Sequence, residues 1–252
     1  MEIPMIRNHS ISIFLLLVLG TSTGCAELQR LDLQGILEAT TPLDQSTVAR
    51  GLKEALAVGT RRTTQTLSAA GAFRDNPRLR LKLPGELGSL ARMLRNVGFS
   101  AQVDALEDSM NRAAEEAAAN AVPVFASAIS SMSITDAFAI LNGAEDSATT
   151  YFRERTSAKL SARFSPIAKS AMEEVGFYSI YKELMVRYRQ IPFTKPPAID
   201  LEDYVANQTM AALFGELAKQ EARIREDPAA RSSALLRRVF GATNGSALER
   251  GR

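Results

Sequence analysis

Tryptophan is absent from this sequence, and cysteine and histidine occur once each, as Cys25 and His9. A single cysteine cannot close a disulfide within the chain, so no disulfide framework supports the fold. An excess of either charge is missing too: 30 Lys and Arg stand against 28 Asp and Glu, a formal net charge of +2. That balance exerts no strong pull toward nucleic acid or anionic membrane. No G-x-x-x-x-G-K-[ST] phosphate loop occurs, and no strand-flanked G-x-G-x-x-G. There is no Gly-X-Y period either, so a collagen-like chain is excluded. What is present is a 252-residue chain that is 46% hydrophobic. It is too apolar for intrinsic disorder and long enough for one compact core, or at most two small domains.

The N-terminus carries an apolar run, Ile11 to Gly20. At about ten residues it suits a signal-peptide core and falls short of the roughly 20 that a transmembrane helix needs. Arg7 supplies positive charge upstream. Glu2 is unusual there, and a start at Met5 would remove it. Small residues Thr21 to Gly24 follow, and then Cys25. This resembles the lipobox of bacterial lipoproteins, in which the cysteine sulfur takes a diacylglyceryl group and becomes the new N-terminus. Ser22 departs from the pattern, since leucine is usual there. The competing expectation is an ordinary signal peptide cleaved after Gly24 or Ala26. The lipoprotein expectation divides the chain into a signal peptide at 1–24, a lipid-anchored tether at 25–45, a helical domain at 46–241 and a disordered tail at 242–252. Ala26 resembles the outer-membrane sorting signal, which places the protein on the periplasmic face of that membrane; a soluble periplasmic protein is the alternative.

On this division His9 leaves with the signal, and the mature chain has no histidine and no free thiol. Ser-His-Asp triads, Cys-His dyads, His-ligated zinc or iron and Cys-bound clusters are then excluded. No catalytic residue, resident metal or cofactor is expected.

From Ser46 onward the apolar spacing is helical. Val48, Leu52 and Leu56 mark a first helix from about Thr47 to Ala70, with Ser46 as N-cap. Leu87, Leu90, Leu94 and Val97 mark a second that starts near Pro84 and stops at Gly98-Phe99, a Schellman-type end. Val103, Leu106, Met110 and Ala113 mark a third, alanine-rich to Ala121 and ended or kinked by Pro123. Ser133 to Asp136 reads as a capping box, with Asp in the place of Glu. Asp146 or Ser147 caps a long helix that contains Pro166, which should kink it, and that stops at Gly176-Phe177. A helix over 178–190 follows, with Ile180, Leu184, Met185 and Tyr188 facing inward. Asp200 caps the next, and Asp227-Pro228 opens the last. One segment differs: Arg78-Leu79-Arg80-Leu81-Lys82-Leu83 alternates strictly, with a basic and a leucine face. It reads as an extended loop pinned by its leucines, or as half of a minor two-stranded element with 191–193. The fold class is all-α, a single bundle of about seven to nine helices.

Several stretches carry a resemblance: Gly51 to Leu56, Ser109 to Glu115, Ile134 to Gly143, Tyr151-Phe152-Arg153, Asp203-Tyr204-Val205, and Leu235 to Gly241. Together, and in this order, they resemble the DUF4197 family, a bacterial domain of unknown function, over about 46–241. The resemblance implies a helical, exported protein and brings no activity with it.

The third helix places Glu107, Asn111 and Glu115 four apart on one face. Such a carboxylate–amide–carboxylate ladder suits a divalent cation or acid/base work; a solvated face with pairs such as Asp108–Arg112 is the plain alternative. Asn111 and Arg112 follow Met110 on the apolar stripe, where they could hold a neighbouring helix through Asp136 or Asp146. These six residues, Glu107, Asn111, Arg112, Glu115, Asp136 and Asp146, form the candidate polar site. Glu145 and Asp146 already fill the anion position at their helix N-terminus, which disfavours a phosphate there. Cations gather between Arg61 and Arg95, as a solvated surface or as a patch for lipid headgroups or envelope polysaccharide. Ser157 with Lys159, and Ser165 with Lys169, lack the partner motifs of Ser-Lys enzymes. The expected partners are the membrane through Cys25, and an envelope protein, polysaccharide or lipid; nucleic acid is not expected. A binding or scaffolding role is therefore expected, with a carrier of a lipid-like ligand or a carboxylate-based hydrolase as alternatives.

Overall fold

The computed structural model describes residues 44–96, 98–188 and 200–231, with 233, 235 and 237–240. The expected signal, residues 25–43 of the expected tether, the tail and residues 191–193 lie outside the described residues; the last two residues assigned to the tether, Asp44 and Gln45, instead cap and begin the first helix. Eight α-helices occur among those described: α1 (Gln45–Leu67), α2 (Gly85–Asn96), α3 (Ser100–Ala119), α4 (Val122–Ser131), α5 (Ile134–Asn142), α6 (Ser147–Glu174), α7 (Phe177–Tyr188) and α8 (Leu201–Glu226). A 3₁₀ turn, Pro228–Ala230, follows α8, and 237–240 are helical again. No strand occurs among the described residues, and 78–83 is not a strand; its expected partner 191–193 lies outside them.

α6 and α8 pack against each other along the centre, with α3 laid on both and α1 on α8. α6 buries Phe152, Leu160, Phe164 and Met172, and α8 buries Val205, Leu213 and Leu217, all fully or nearly so. Phe152 stands edge-on to Phe125 of α4, with centroids 5.3 Å apart. On α3 the alanines at 113, 114, 117 and 118 are all buried, and their small size lets α3 approach closely. Gly51 does the same for α1, since a Cβ there would lie 2.7 Å from Val239 Cγ2.

Local chemistry sets the helix ends, with some departures from expectation. Asp44, not Ser46, is the N-cap of α1: its carboxylate accepts from Thr47 N–H at 2.9 Å and also from the Ser46 hydroxyl. The Schellman end of α2 forms as expected. Gly98 has φ +94°, Phe99 N–H donates to Leu94 C=O and Gly98 N–H to Arg95 C=O. Gly176 has φ +67° and donates to Glu173 C=O, but the chain re-enters a helix at once, as α7. The inward-facing side chains expected at 180, 184, 185 and 188 are outside the described ones. Pro123 neither kinks nor ends α3, which stops at Ala119 four residues earlier; it sits in the first turn of α4, where its missing N–H costs nothing. α6 runs on through Pro166.

One side chain in the core stands out energetically. The Thr63 hydroxyl is buried with no hydrogen-bond partner among the described residues. Thr63→Val keeps the shape and removes an unsatisfied polar group, which costs about 1–3 kcal/mol when buried. Thermal denaturation is expected to show a variant at least as stable as the parent, with a raised Tm.

Candidate functional site: a polar ladder that binds its own chain

The ladder on α3 forms, and its partner is the segment 81–83. Asn111 is fully buried. Its Oδ1 accepts from Leu81 N–H at 2.9 Å, and its Nδ2 donates to Leu81 C=O at 2.9 Å and to Glu107 C=O at 2.6 Å. It thus offers Leu81 the two bonds that a neighbouring β-strand would offer. One turn earlier, Glu107 Oε1 accepts from Leu83 N–H at 3.4 Å. The periods explain the match. Four residues of helix rise about 6.0 Å, and two residues of extended chain rise about 6.6–6.8 Å. Residues i and i+4 on α3 can therefore meet residues j and j−2 on an extended strap.

The third rung breaks the register for a local reason. Leu79 N–H is already used: it and Arg80 N–H both donate to Asn76 C=O in a turn. Glu115 instead accepts from Phe73 N–H at 3.2 Å. From the opposite side, the Tyr204 hydroxyl of α8 donates to Lys82 C=O at 3.1 Å. The strap is thus held from both sides, with Leu81 buried and Arg78, Arg80 and Lys82 exposed, as the alternation suggested.

Glu107 is also buried, and its other oxygen takes the Arg95 guanidinium at 3.2 Å. Arg95 reaches Asp104 as well, at 2.7 Å. The hydrogen bond to Asp104 leads in raising the Arg95 pKa further above its ordinary value. A wholly solvated face is therefore not what α3 presents here.

The other candidate residues lie elsewhere. Arg112 is exposed. Asp136 completes the capping box with Ser133, accepting from Ser133 N–H at 3.0 Å, while the Ser133 hydroxyl accepts from Asp136 N–H at 3.0 Å. The Ser133 N–H, and the Ser133 hydroxyl donating to the same carboxylate at 2.8 Å, hold the Asp136 carboxyl below the usual aspartate range, and Arg155 at 3.9 Å adds to that. Asp136 does not hold Asn111, whose amide is spent on Leu81. Asp146 occupies the N-cap position of α6 but makes no side-chain capping bond.

The cap of α6 comes from a residue that sequence reasoning missed. Glu221, on α8, accepts from Ala148 N–H at 3.0 Å, from Thr149 N–H at 2.9 Å and from the Thr149 hydroxyl at 2.9 Å. A carboxylate at a helix N-terminus satisfies free N–H groups and the positive end of the dipole. Arg225 pairs with Glu221 at 2.9 Å and donates to Ile140 C=O near the end of α5. This one pair joins α5, α6 and α8. Its signal was readable: Glu221 falls on the apolar stripe between Leu217 and Ile224, where a charge needs a partner. Buried Arg231 was missed as well. It donates to Ile224 and Arg225 C=O and closes the C-terminal end of α8.

The Ser-Lys candidates are otherwise engaged. Ser157 donates to Arg153 C=O, Ser165 to Ser161 C=O, and Lys169 lies 3.9 Å from Glu173. Among the described residues no group of three or more His, Cys, Asp or Glu is placed to hold a metal ion. No single described helix is long and apolar enough to cross a membrane.

These features define an all-α domain in which polar side chains on long helices bind loop backbone and helix ends. The family model for DUF4197, described as a protein of unknown function, matches residues 42–241, and the chain belongs to that family. No curated protein and no solved structure matches it.

Proposed function

We infer that the protein is an envelope lipoprotein, acylated at Cys25, whose helical domain acts by binding. The anchor rests on one observation: the sole cysteine follows an apolar run and four small residues. Three acyl chains would hold it firmly, since two already suffice for stable attachment. The binding role draws support from the domain. The carboxylates that a hydrolase would use, Glu107 and Glu115, accept from backbone N–H groups of the same chain. The lipid-carrier alternative needs an apolar chamber. The pocket lined by Leu87, Leu94, Phe99, Leu106 and Phe177 has a volume of ≈ 40 Å³, and one near Leu52, Gly59 and Ile224 has ≈ 20 Å³. Ligand pockets span about 300–1,000 Å³. Neither of these two apolar pockets has room for a lipid chain, so a binding surface is the better account.

Mass spectrometry of the N-terminal peptide from the membrane fraction tests the anchor. A peptide that begins at Cys25 and carries acyl chains is expected, and Cys25→Ser is expected to shift the protein into the soluble fraction. An unacylated N-terminus at another residue, with unchanged fractionation of the variant, would remove the lipoprotein reading.

A further inference from the structure

Between the end of α1, the turn at 76–80 and the middle of α8 lies a pocket of ≈ 270 Å³. Its lining includes Leu79, Ala212 and Gly215, and among its polar residues Arg78, Glu216 and Lys219. Its volume falls just below the range for drug-sized ligands, so a smaller molecule fits.

The charges on its wall are not equivalent. Glu216 is spoken for: Lys219 donates to its Oε2 at 3.0 Å and Gln220 to its Oε1 at 2.9 Å. Lys219 keeps two further donors. Arg78 makes no side-chain hydrogen bond or ion pair among the described residues. Its backbone N–H is tied to Asn76 Oδ1 at 3.0 Å, which fixes the turn that carries it. One neutralised carboxylate and two cations leave the wall with one net positive charge, above a floor of leucine and alanine.

Gly215 is the second observation. Glycine inside a helix is less favourable than alanine. A Cβ at Gly215 would meet nothing within 4 Å, so packing does not require a glycine there. What the missing side chain leaves is room over the backbone of α8, on the pocket wall.

We propose that this pocket binds a small carboxylate bearing a short apolar group, with the carboxylate on Arg78 and Lys219 and the apolar group on Leu79 and Ala212. A guanidinium matches a carboxylate by two parallel hydrogen bonds. The source is either the C-terminal end of a peptide or a free organic acid. The proposal deepens the binding role above and is independent of the anchor.

The test is isothermal titration of the full mature chain with three probes: N-acetyl-alanyl-alanine, its C-terminal amide, and 3-methylbutanoate. At least one acid is expected to bind, and the amide about tenfold more weakly or not at all, since charge-assisted bonds are about twice as strong as neutral ones. Binding by the dipeptide alone assigns the site to peptide ends, and by 3-methylbutanoate alone to free acids. Arg78→Gln is expected to weaken the acid about tenfold without changing Tm. Gly215→Leu fills the space, and is expected to abolish binding while keeping the fold. Equal binding of acid and amide, no binding of any probe, or indifference to both substitutions overturns the proposal. The acylation state of Cys25 is read separately, so failure here leaves the anchor standing or falling on its own result.

Discussion

Asn111→Leu is expected to destabilise the domain by about 2–6 kcal/mol, from two buried backbone groups left unsatisfied at about 1–3 kcal/mol each. Leucine fills the space but offers Leu81 neither an acceptor for its N–H nor a donor for its C=O, both now bonded at 2.9 Å. Leu81 is itself buried, so water cannot readily replace the amide. For a domain of this size the loss corresponds to a fall in Tm of about 5–20 °C. Asn111→Asp keeps the volume and the acceptor, removes the donor and buries a charge, and is expected to be as damaging. The control is Arg112→Ala. Its side chain is exposed, and a change within about 0.5 kcal/mol is expected. Thermal and urea unfolding measure all three. Were Asn111 part of a ligand or metal site with no structural duty, its replacement would leave Tm unchanged.

Glu221→Ala is expected to cost about 3–5 kcal/mol, the range for breaking a buried ion pair from one side. The substitution strips the caps from Ala148 and Thr149 N–H and leaves Arg225, only 19% exposed, without its carboxylate. Glu221→Gln retains one acceptor and loses the charge, so an intermediate loss is expected. The double variant Glu221→Gln with Arg225→Met removes both charges together. It is expected to recover part of the loss, because the uncompensated cation is gone. Urea midpoints of the three variants give the comparison.

The legible part of the fold was its helices, and the reason is periodicity. Stripes such as Val103, Leu106, Met110 and Ala113 belong to one buried face. Caps written within a few residues were legible too: Ser133 with Asp136, Asp200 with Asp203 N–H, and the positive-φ Gly98. Where two nearby residues could serve, sequence did not choose. Asp44 caps α1 rather than Ser46, because its carboxylate takes Thr47 N–H and Ser46 as well. α4 escaped notice because Pro123 reads as a break, although a proline in the first turn begins a helix as well as it ends one.

The polar site was half legible. Spacing by four placed Glu107, Asn111 and Glu115 on one face, and the strict alternation of 78–83 marked an extended strap. Nothing in either pattern says that they meet, since the pairing spans 30 residues between Leu81 and Asn111. Asp146 and Glu221 illustrate the same limit over a greater span. The local candidate makes no side-chain capping bond, and a carboxylate 72 residues from Thr149 caps the helix. Both cases have one cue in common: a polar residue on or beside an apolar stripe is owed a partner. A charged or amide side chain at such a position points first to a backbone that it satisfies, and only then to a ligand.

Amide hydrogen exchange at Leu81 and Leu83 tests the strap-and-ladder arrangement most directly. Both amides lie outside any helix, with no strand beside them among the described residues, yet donate to side chains of α3. The expected result is slow exchange at Leu81, comparable to the helix cores, moderate protection at Leu83 with its longer bond, and fast exchange at both in Asn111→Leu. Exchange at Leu81 in the parent protein as fast as in an exposed loop would contradict it.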